Sequence, residues 1–127
     1  MQIHNVEPMQ ALVNMTKGLF SEIPIYKENM HEDVNDIPDS YILLRSQITD
    51  TTASYGDGRS IVRTADCDIM LISKGYADDS DDLHNINKRK IREHLKAQEI
   101  NFDEVNLGYD DGLKSTQHTF SVEVMYV

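Results

Sequence analysis

The densest group of side chains with metal-binding chemistry is the acidic run at residues 78–82, in which only Ser80 is not an aspartate. Oxygen ligands at alternating positions fit the start of a calcium-binding loop, which also needs glycine at its sixth position and glutamate at its twelfth. Counted from Asp78, these two positions hold Leu83 and Arg89. The run is instead typical of a helix N-terminus, where carboxylates satisfy free amide groups and the helix dipole.

The histidines and the single cysteine do not form a recognisable catalytic or zinc-binding pattern. No two histidines are four residues apart, the spacing of a zinc pair on a helix, and one cysteine cannot complete a cysteine-based site. Cys67 is flanked by Asp66 and Asp68, whose negative charges oppose formation of a nucleophilic thiolate. His94 falls within an apolar helical stripe and is expected to be half-buried and hydrogen-bonded. We therefore expect no catalytic residue, no metal site and no cofactor.

The sequence Gly56-Asp57-Gly58 lacks the lysine and the following helix of a phosphate-binding loop, and it is typical of a turn. It belongs to a polar stretch, residues 49–59, that has little to bury and predicts a long exposed hairpin tip. Exposed tips that carry an aromatic residue and an arginine often insert into partners. The candidate partner-binding residues are Tyr55, Asp57 and Arg59.

The length and the charge limit the class of protein. A chain of 127 residues with 39% hydrophobic and 27% charged residues suits a single domain that spans residues 1–127. Its net charge of -10 repels phosphate groups, which disfavours sequence-independent nucleic-acid binding and docking on anionic membranes. The first ten residues have no basic segment followed by an apolar one, so we expect no signal peptide.

The apolar spacing over residues 9–23 predicts an amphipathic helix, with Asn5 as its cap, Pro8 in its first turn and Pro24 after its end. A short strand is expected over residues 25–28, and a polar loop over residues 29–40.

Further along the chain, alternating patterns predict strands at residues 41–48 and 61–73, and Cys67 takes an inward-facing position in the second of these strands. Residues 78–98 predict a second helix, whose apolar face is formed by Leu83, Ile86, Ile91 and Leu95. Asn87 and His94 fall inside the same stripe. Strands at residues 101–107 and 117–127, joined by a turn at Asp111 and Gly112, complete the chain. The expected fold is α+β: a mainly antiparallel sheet with two amphipathic helices packed on one face and a long protruding hairpin.

The order and spacing of these elements resemble those of the small tail-completion, or tail-terminator, proteins of long-tailed phages and prophages. The resemblance covers nearly the whole chain. Besides the N-terminal helix and the Asp/Gly hairpin tip, it rests on IPIY at 23–26, IPDSYI at 37–42, CDIMLISKG at 67–75, IREHL at 91–95 and HTFSVEVMYV at 118–127.

The resemblance implies a non-enzymatic structural protein of the virion, assembled in the host cytoplasm, which caps the tail tube and joins it to the head as a hexameric ring. The implied partners are other copies of the chain, the tail tube protein and a head-completion protein, with DNA passing through the channel without specific binding. A ring of one chain needs a heterologous interface between two different patches. Its negative charge suits a DNA channel, which Asp78, Asp79 and Asp81 are expected to line or approach.

Three alternatives remain open from the sequence. The chain could be another phage neck or adaptor protein of similar size. It could be an acidic binding module that stays monomeric and mimics nucleic acid. The third alternative is a small metal-dependent hydrolase that uses aspartate ligands.

Overall fold

The computed structural model describes residues 3–19, 21–27, 37–55 and 60–126. The elements are β1 (Ile3–His4), α1 (Pro8–Thr16), a 3-10 turn (Lys17–Leu19), β2 (Ile25–Lys27), β3 (Ser40–Tyr55), β4 (Ser60–Lys74), α2 (Leu83–Ala97), β5 (Asp103–Asp110) and β6 (Ser115–Tyr126). Within these residues, no helix has the length and apolar composition needed to cross a membrane.

All six strands of the described residues belong to one sheet. Its order is β1-β6-β4-β3-β2, and β5 pairs with the part of β6 that β1 does not cover, so the sheet is five strands wide. The β3–β4, β4–β6 and β5–β6 pairs are antiparallel, whereas the short strands β1 and β2 are parallel to their neighbours. The expected α+β fold with a mainly antiparallel sheet is confirmed.

The core lies between one face of the sheet and both helices. Cys67, Ile69 and Leu71 alternate along β4 and are fully buried, in agreement with the alternation of the sequence. Leu12 of α1 and Leu95 of α2 are fully buried in the same cluster, so both helices cover the same face. Burying such a side chain contributes roughly 1.5–3 kcal/mol, which makes this layer the main source of stability.

The hairpin differs from the prediction of a tip over residues 49–59, because β3 continues to Tyr55 and β4 begins at Ser60. The β3–β4 ladder shifts register between Gln47 and Thr51 and then continues to the pair Tyr55 and Ser60. The hydrogen bonds between paired strands join backbone groups and need no buried side chain. A polar sequence can therefore form a strand, and the polar composition of residues 51–55 led to the wrong prediction of a loop. Residues 60–62 extend beyond the last pair of β4 with β6.

The first helix is shorter than predicted. Glu7 occupies the N-cap position without a side-chain capping bond, so the assignment of Asn5 as the cap is wrong, whereas Pro8 does lie in the first turn. The helix ends at Thr16, whose hydroxyl donates to the Leu12 carbonyl oxygen at 2.9 Å, and a 3-10 turn replaces the predicted continuation. Such a side-chain bond competes with the helical ladder and favours an early end.

The second helix begins at Leu83 instead of Asp78. The inward position of Asn87 is confirmed, but at the start of the helix His84 takes the inward position that was predicted for Leu83. His84 and Asn87 are buried together with Ile91 and Leu95, whereas Leu83 is 53% exposed. The buried positions are three or four residues apart, as a helical face requires. Two polar side chains therefore occupy the interface between α2 and the sheet, and they must be satisfied there by hydrogen bonds.

Candidate functional site

A row of four buried polar side chains joins α2 to β3 and β4. The Asn87 side-chain amide donates to Ser40 Oγ at 2.9 Å, Ser40 Oγ lies 2.8 Å from Ser73 Oγ, and His84 Nδ1 lies 2.8 Å from Ser73 Oγ. Ser73 continues the inward alternation of β4, and Ser40 faces it directly across the ladder. Each of the two hydroxyl groups therefore has two hydrogen-bond partners inside the protein.

Burial determines the charge of His84. The pKa of its imidazole is lowered to about 4, mainly by burial and further by the positive charge of Lys88 and by His118. A neutral histidine bonded to a serine is the arrangement of a general base with a nucleophile. Here Ser73 is 4% exposed and contacts Ser40 on its other side, so the row positions α2 on the sheet and gives a substrate no direct access to the hydroxyl.

A second polar cluster joins α2 to β5 and β6. Arg92 donates two hydrogen bonds to the Glu104 carboxylate, at 2.9 and 2.6 Å, and His118 Nε2 lies 2.8 Å from the same carboxylate. The Arg92 hydrogen bond is the main reason that the pKa of Glu104 is lowered, with His118 contributing in the same direction. Burial lowers the pKa of His118 despite the opposing effect of Glu104. The cluster ties the edge strand β5 to the helix.

The acidic turn, residues 78–82, precedes α2. Asp78, Asp79 and Asp81 are exposed. Asp79 Oδ1 accepts the Asp81 backbone N–H at 3.1 Å, and Asp82 Oδ2 accepts the Asp79 backbone N–H at 2.8 Å.

The geometry of the turn contradicts one interpretation of it. Asp82 is the N-cap residue but makes no side-chain bond to the helix, so the expectation that these carboxylates cap α2 is wrong: they stabilise the turn before it. Among the described residues, no group of three or more histidine, cysteine, aspartate or glutamate side chains is arranged to hold a metal ion.

The two predicted functional regions lie at opposite ends of β4. Tyr55 is the last residue of β3 and pairs with Ser60, the first residue of β4, whereas Asp57 and Arg59 lie outside the described residues. The acidic turn follows the other end of this 15-residue strand. At ~3.3 Å per residue the two regions are roughly 45 Å apart, so the structure does not bring them together.

His94 has the environment expected for it. It is half-buried on α2, and its Nε2 atom lies 2.7 Å from the Met15 carbonyl oxygen at the end of α1. The Gln98 side-chain amide donates to the same carbonyl at 3.1 Å. The Met15 carbonyl group has no partner within α1 because the helix ends there, and these two hydrogen bonds supply one. They also connect the two helices.

Several apolar side chains near the acidic turn and on β5 are exposed, which the sequence did not predict. They are Tyr76, Leu83, Val105, Leu107 and Leu113, with exposed fractions of 65%, 53%, 47%, 54% and 67%. They do not form one surface, because the strand register places Val105 on the sheet face opposite to α2. The ring of Tyr76 stacks on Tyr109 of β5 with 3.9 Å between centroids, and the Gly75 backbone N–H donates to the Lys114 carbonyl at 2.9 Å. These contacts bring the end of β4, strand β5 and the β5–β6 turn together.

A surface cavity of about 200 Å³ opens beside the stacked rings and is also lined by Asp78, His84 and Lys88. The sequence signal for this region was the presence of Tyr76 and Leu113 in connecting segments, where large apolar side chains have little to pack against. Comparisons of the chain with protein-family models, with curated proteins and with solved structures found no match.

Proposed function

We propose that the protein is a non-enzymatic structural component of a long-tailed phage, in which six copies form a ring that caps the tail tube and joins it to the head. The observation that carries the proposal is the order of the elements. The segments on which the resemblance rests form α1, β2, β3, β4, α2 and β6, within one α+β sheet that has both helices on one face.

The two edges of the sheet differ from each other. In a ring of identical copies related by rotation, one surface of each copy meets a different surface of the next copy, so two different surfaces are needed. One edge is formed by β5 and β1, and the other by the three-residue strand β2. Among the described strands, residues 51–55 pair only with β4, so this part of β3 has a side to which a neighbouring copy can add.

The charge of the chain is compatible with a channel for DNA. A wall with a net charge of -10 per copy repels phosphate groups and shortens their contact with the protein. Asp78, Asp79 and Asp81 are exposed, as a channel wall requires, and their position in the ring stays a prediction. The tail tube protein and a head-completion protein are the proposed partners.

A second candidate function is that of an acidic binding module that acts as a monomer. The exposed acidic turn favours it, because exposed carboxylates suit recognition of a basic protein. The two functions differ in oligomeric state: the module is complete as one chain, whereas the tail protein acts as a ring.

Deletion of the gene from the phage or prophage genome that carries it tests the proposed role. We expect electron micrographs of the lysate to show filled heads and tail tubes that are not joined, and we expect expression of the intact chain in trans to restore joined particles. Joined, infectious particles from the deletion strain would contradict the proposal. Loss of the heads or of the tubes themselves would also contradict it.

A further inference from the structure

We propose that the far end of the β3–β4 hairpin is completed by a strand from a second copy of this chain. The hairpin arm, as we name it, consists of residues 51–55 of β3 and residues 60–62 of β4. Residues 60–62 pair with residues 53–55 and lie beyond the last pair of β4 with β6. Among the described strands, this part of the hairpin is therefore a two-stranded ribbon with an open edge on each side.

The backbone of the hairpin arm offers hydrogen-bonding groups to a further strand. In an antiparallel pair, every second residue turns its N–H and C=O groups away from the partner strand. About half of residues 51–55 therefore present these groups along the open edge of β3. A two-stranded ribbon is only marginally stable in water, and a third strand both stabilises it and satisfies these groups.

The other edges of the sheet carry features that oppose strand addition. Proteins protect an edge by keeping it short, by placing proline or charged residues on it, or by interrupting its pairing with a bulge. Strand β1 has two residues, and β2 has three, which follow Pro24 and end with Lys27. Strand β5 begins with Asp103 and Glu104, and its register with β6 shifts near its middle.

The hairpin arm lacks these protective features. Residues 51–55 and 60–62 include no proline and no charged residue, and threonine, tyrosine, isoleucine and valine, which favour strands, are prominent among them. The register shift of β3 lies before the arm, between Gln47 and Thr51. The contrast with β1, β2 and β5 indicates that strand addition is opposed at those edges and permitted at the arm.

The distribution of charge favours a second copy of the chain as the partner. Two copies with a net charge of -10 each repel one another wherever their carboxylates meet. The uncharged arm is a place where they can approach without this cost. A basic protein is instead attracted to the acidic turn, which follows the opposite end of β4. In the proposed ring this contact joins one copy to the next, and the inference rests on that proposal only for the number of copies.

Hydrogen–deuterium exchange at low and high protein concentration tests the inference. Exchange of the backbone amides of residues 51–55 is expected to slow by roughly tenfold or more when copies associate, because the added strand accepts their N–H groups. Residues 103–110 of β5 are the internal control and should exchange equally at both concentrations. The double variant Thr52→Lys/Ser54→Lys should lose the association. Val105→Lys/Leu107→Lys adds the same charge at exposed positions of β5 and should behave like the unchanged chain.

The outcomes separate this inference from the proposed ring. A ring of six in which residues 51–55 exchange as fast as in the single chain would overturn the inference alone. Slowed exchange of these residues in a pair of copies that never closes into a ring would support the inference and contradict the ring. A chain that stays single at every concentration would overturn the inference, and so would equal association of the two double variants. The exchange measurement on the unchanged chain does not depend on the folding of any variant.

Discussion

His84 Nδ1 lies 2.8 Å from Ser73 Oγ, in the row of buried polar side chains that joins α2 to the sheet. Because burial lowers the pKa of His84 to about 4, the imidazole is neutral at pH 7 and is bonded without the cost of a buried charge. The polar interface thus makes the stability of the fold depend on pH.

We expect the free energy of unfolding to decrease as the pH falls from 7 towards 4. The unfolded histidine, with its ordinary pKa of 6.5, takes up a proton in this range, whereas the folded one does so only near pH 4. The contribution of His84 to stability is therefore complete above pH 6.5. It is lost as the pH falls from 6.5 to the pKa of about 4 that His84 has in the folded protein. It is about 3 kcal/mol for a shift of this size. The lowered pKa of His118 acts in the same direction.

Urea unfolding at several pH values measures this dependence. In His84→Asn, the side-chain amide can replace Nδ1 as the partner of Ser73 but does not titrate, so stability should fall less steeply between pH 7 and 4.5. His4→Asn, in β1, is the matched control and should keep the original slope. An unchanged slope in His84→Asn would show that His84 is not responsible.

Glu104→Gln should weaken the attachment of β5 to α2. The substitution leaves Arg92 and His118 without their shared carboxylate, and we expect a loss of about 1–2 kcal/mol in the free energy of unfolding at pH 7. Since the pKa of Glu104 is lowered in the folded protein, the loss should shrink as the pH falls below its ordinary value of 4.5. Asp103→Asn, one position earlier on β5, should have little effect. Equal losses of stability in both variants would show that the Glu104 carboxylate does not attach β5 to α2.

Gly18→Ala should destabilise the contact between the two helices. A Cβ atom at Gly18 would lie 2.7 Å from Cε1 of His94, so the imidazole must move away from the Met15 carbonyl oxygen that it contacts. We expect a cost of about 1–3 kcal/mol in chemical denaturation. In the background of His94→Ala the same substitution should cost much less, and additive effects of the two substitutions would contradict a direct contact.

Ile69→Asp should prevent folding, because it places an unpaired charge at a fully buried position of the sheet. Met70→Asp, one residue further on β4 and only partly buried, serves as the control on the opposite face and should retain the fold. Circular dichroism and the elution volume on a sizing column distinguish the two outcomes. A folded Ile69→Asp variant would show that this face of the sheet is not the core.

The double variant Tyr55→Ala/Arg59→Ala should keep the fold while impairing the joining of heads and tails. Tyr55 ends β3 at the far end of the β3–β4 hairpin. Complementation of the deletion strain measures function, and thermal unfolding of the purified variant measures stability. A large fall in the melting temperature would show that these side chains belong to the core.

The sequence predicted the features that depend on local periodicity. Alternation identified Cys67 as an inward-facing position of β4, and Ile69 and Leu71, which share its phase, are buried with it. The continuation of β3 to Tyr55 was missed because its stability comes from pairing with residues 60–64, a contact that composition does not show.

The helical stripe predicted that Asn87 faces inward, but the hydrogen bonds of the polar interface could not be predicted, because each joins residues far apart in the chain. Asn87 turns inward because Ser40, 47 positions earlier, accepts its hydrogen bond. That bond, with the one between His84 and Ser73, allows a polar helix face to be buried. The stacking of Tyr76 on Tyr109 likewise depends on distant segments, because the β5–β6 turn folds back onto Gly75.

Native mass spectrometry over a wide range of protein concentrations, with negative-stain images of the largest species, is the most direct test of the proposed ring. The account predicts a species of six times the chain mass of 14.5 kDa, seen as closed rings with a central opening. The mass of a single chain at every concentration, both alone and after mixing with uncapped tail tubes, would contradict it.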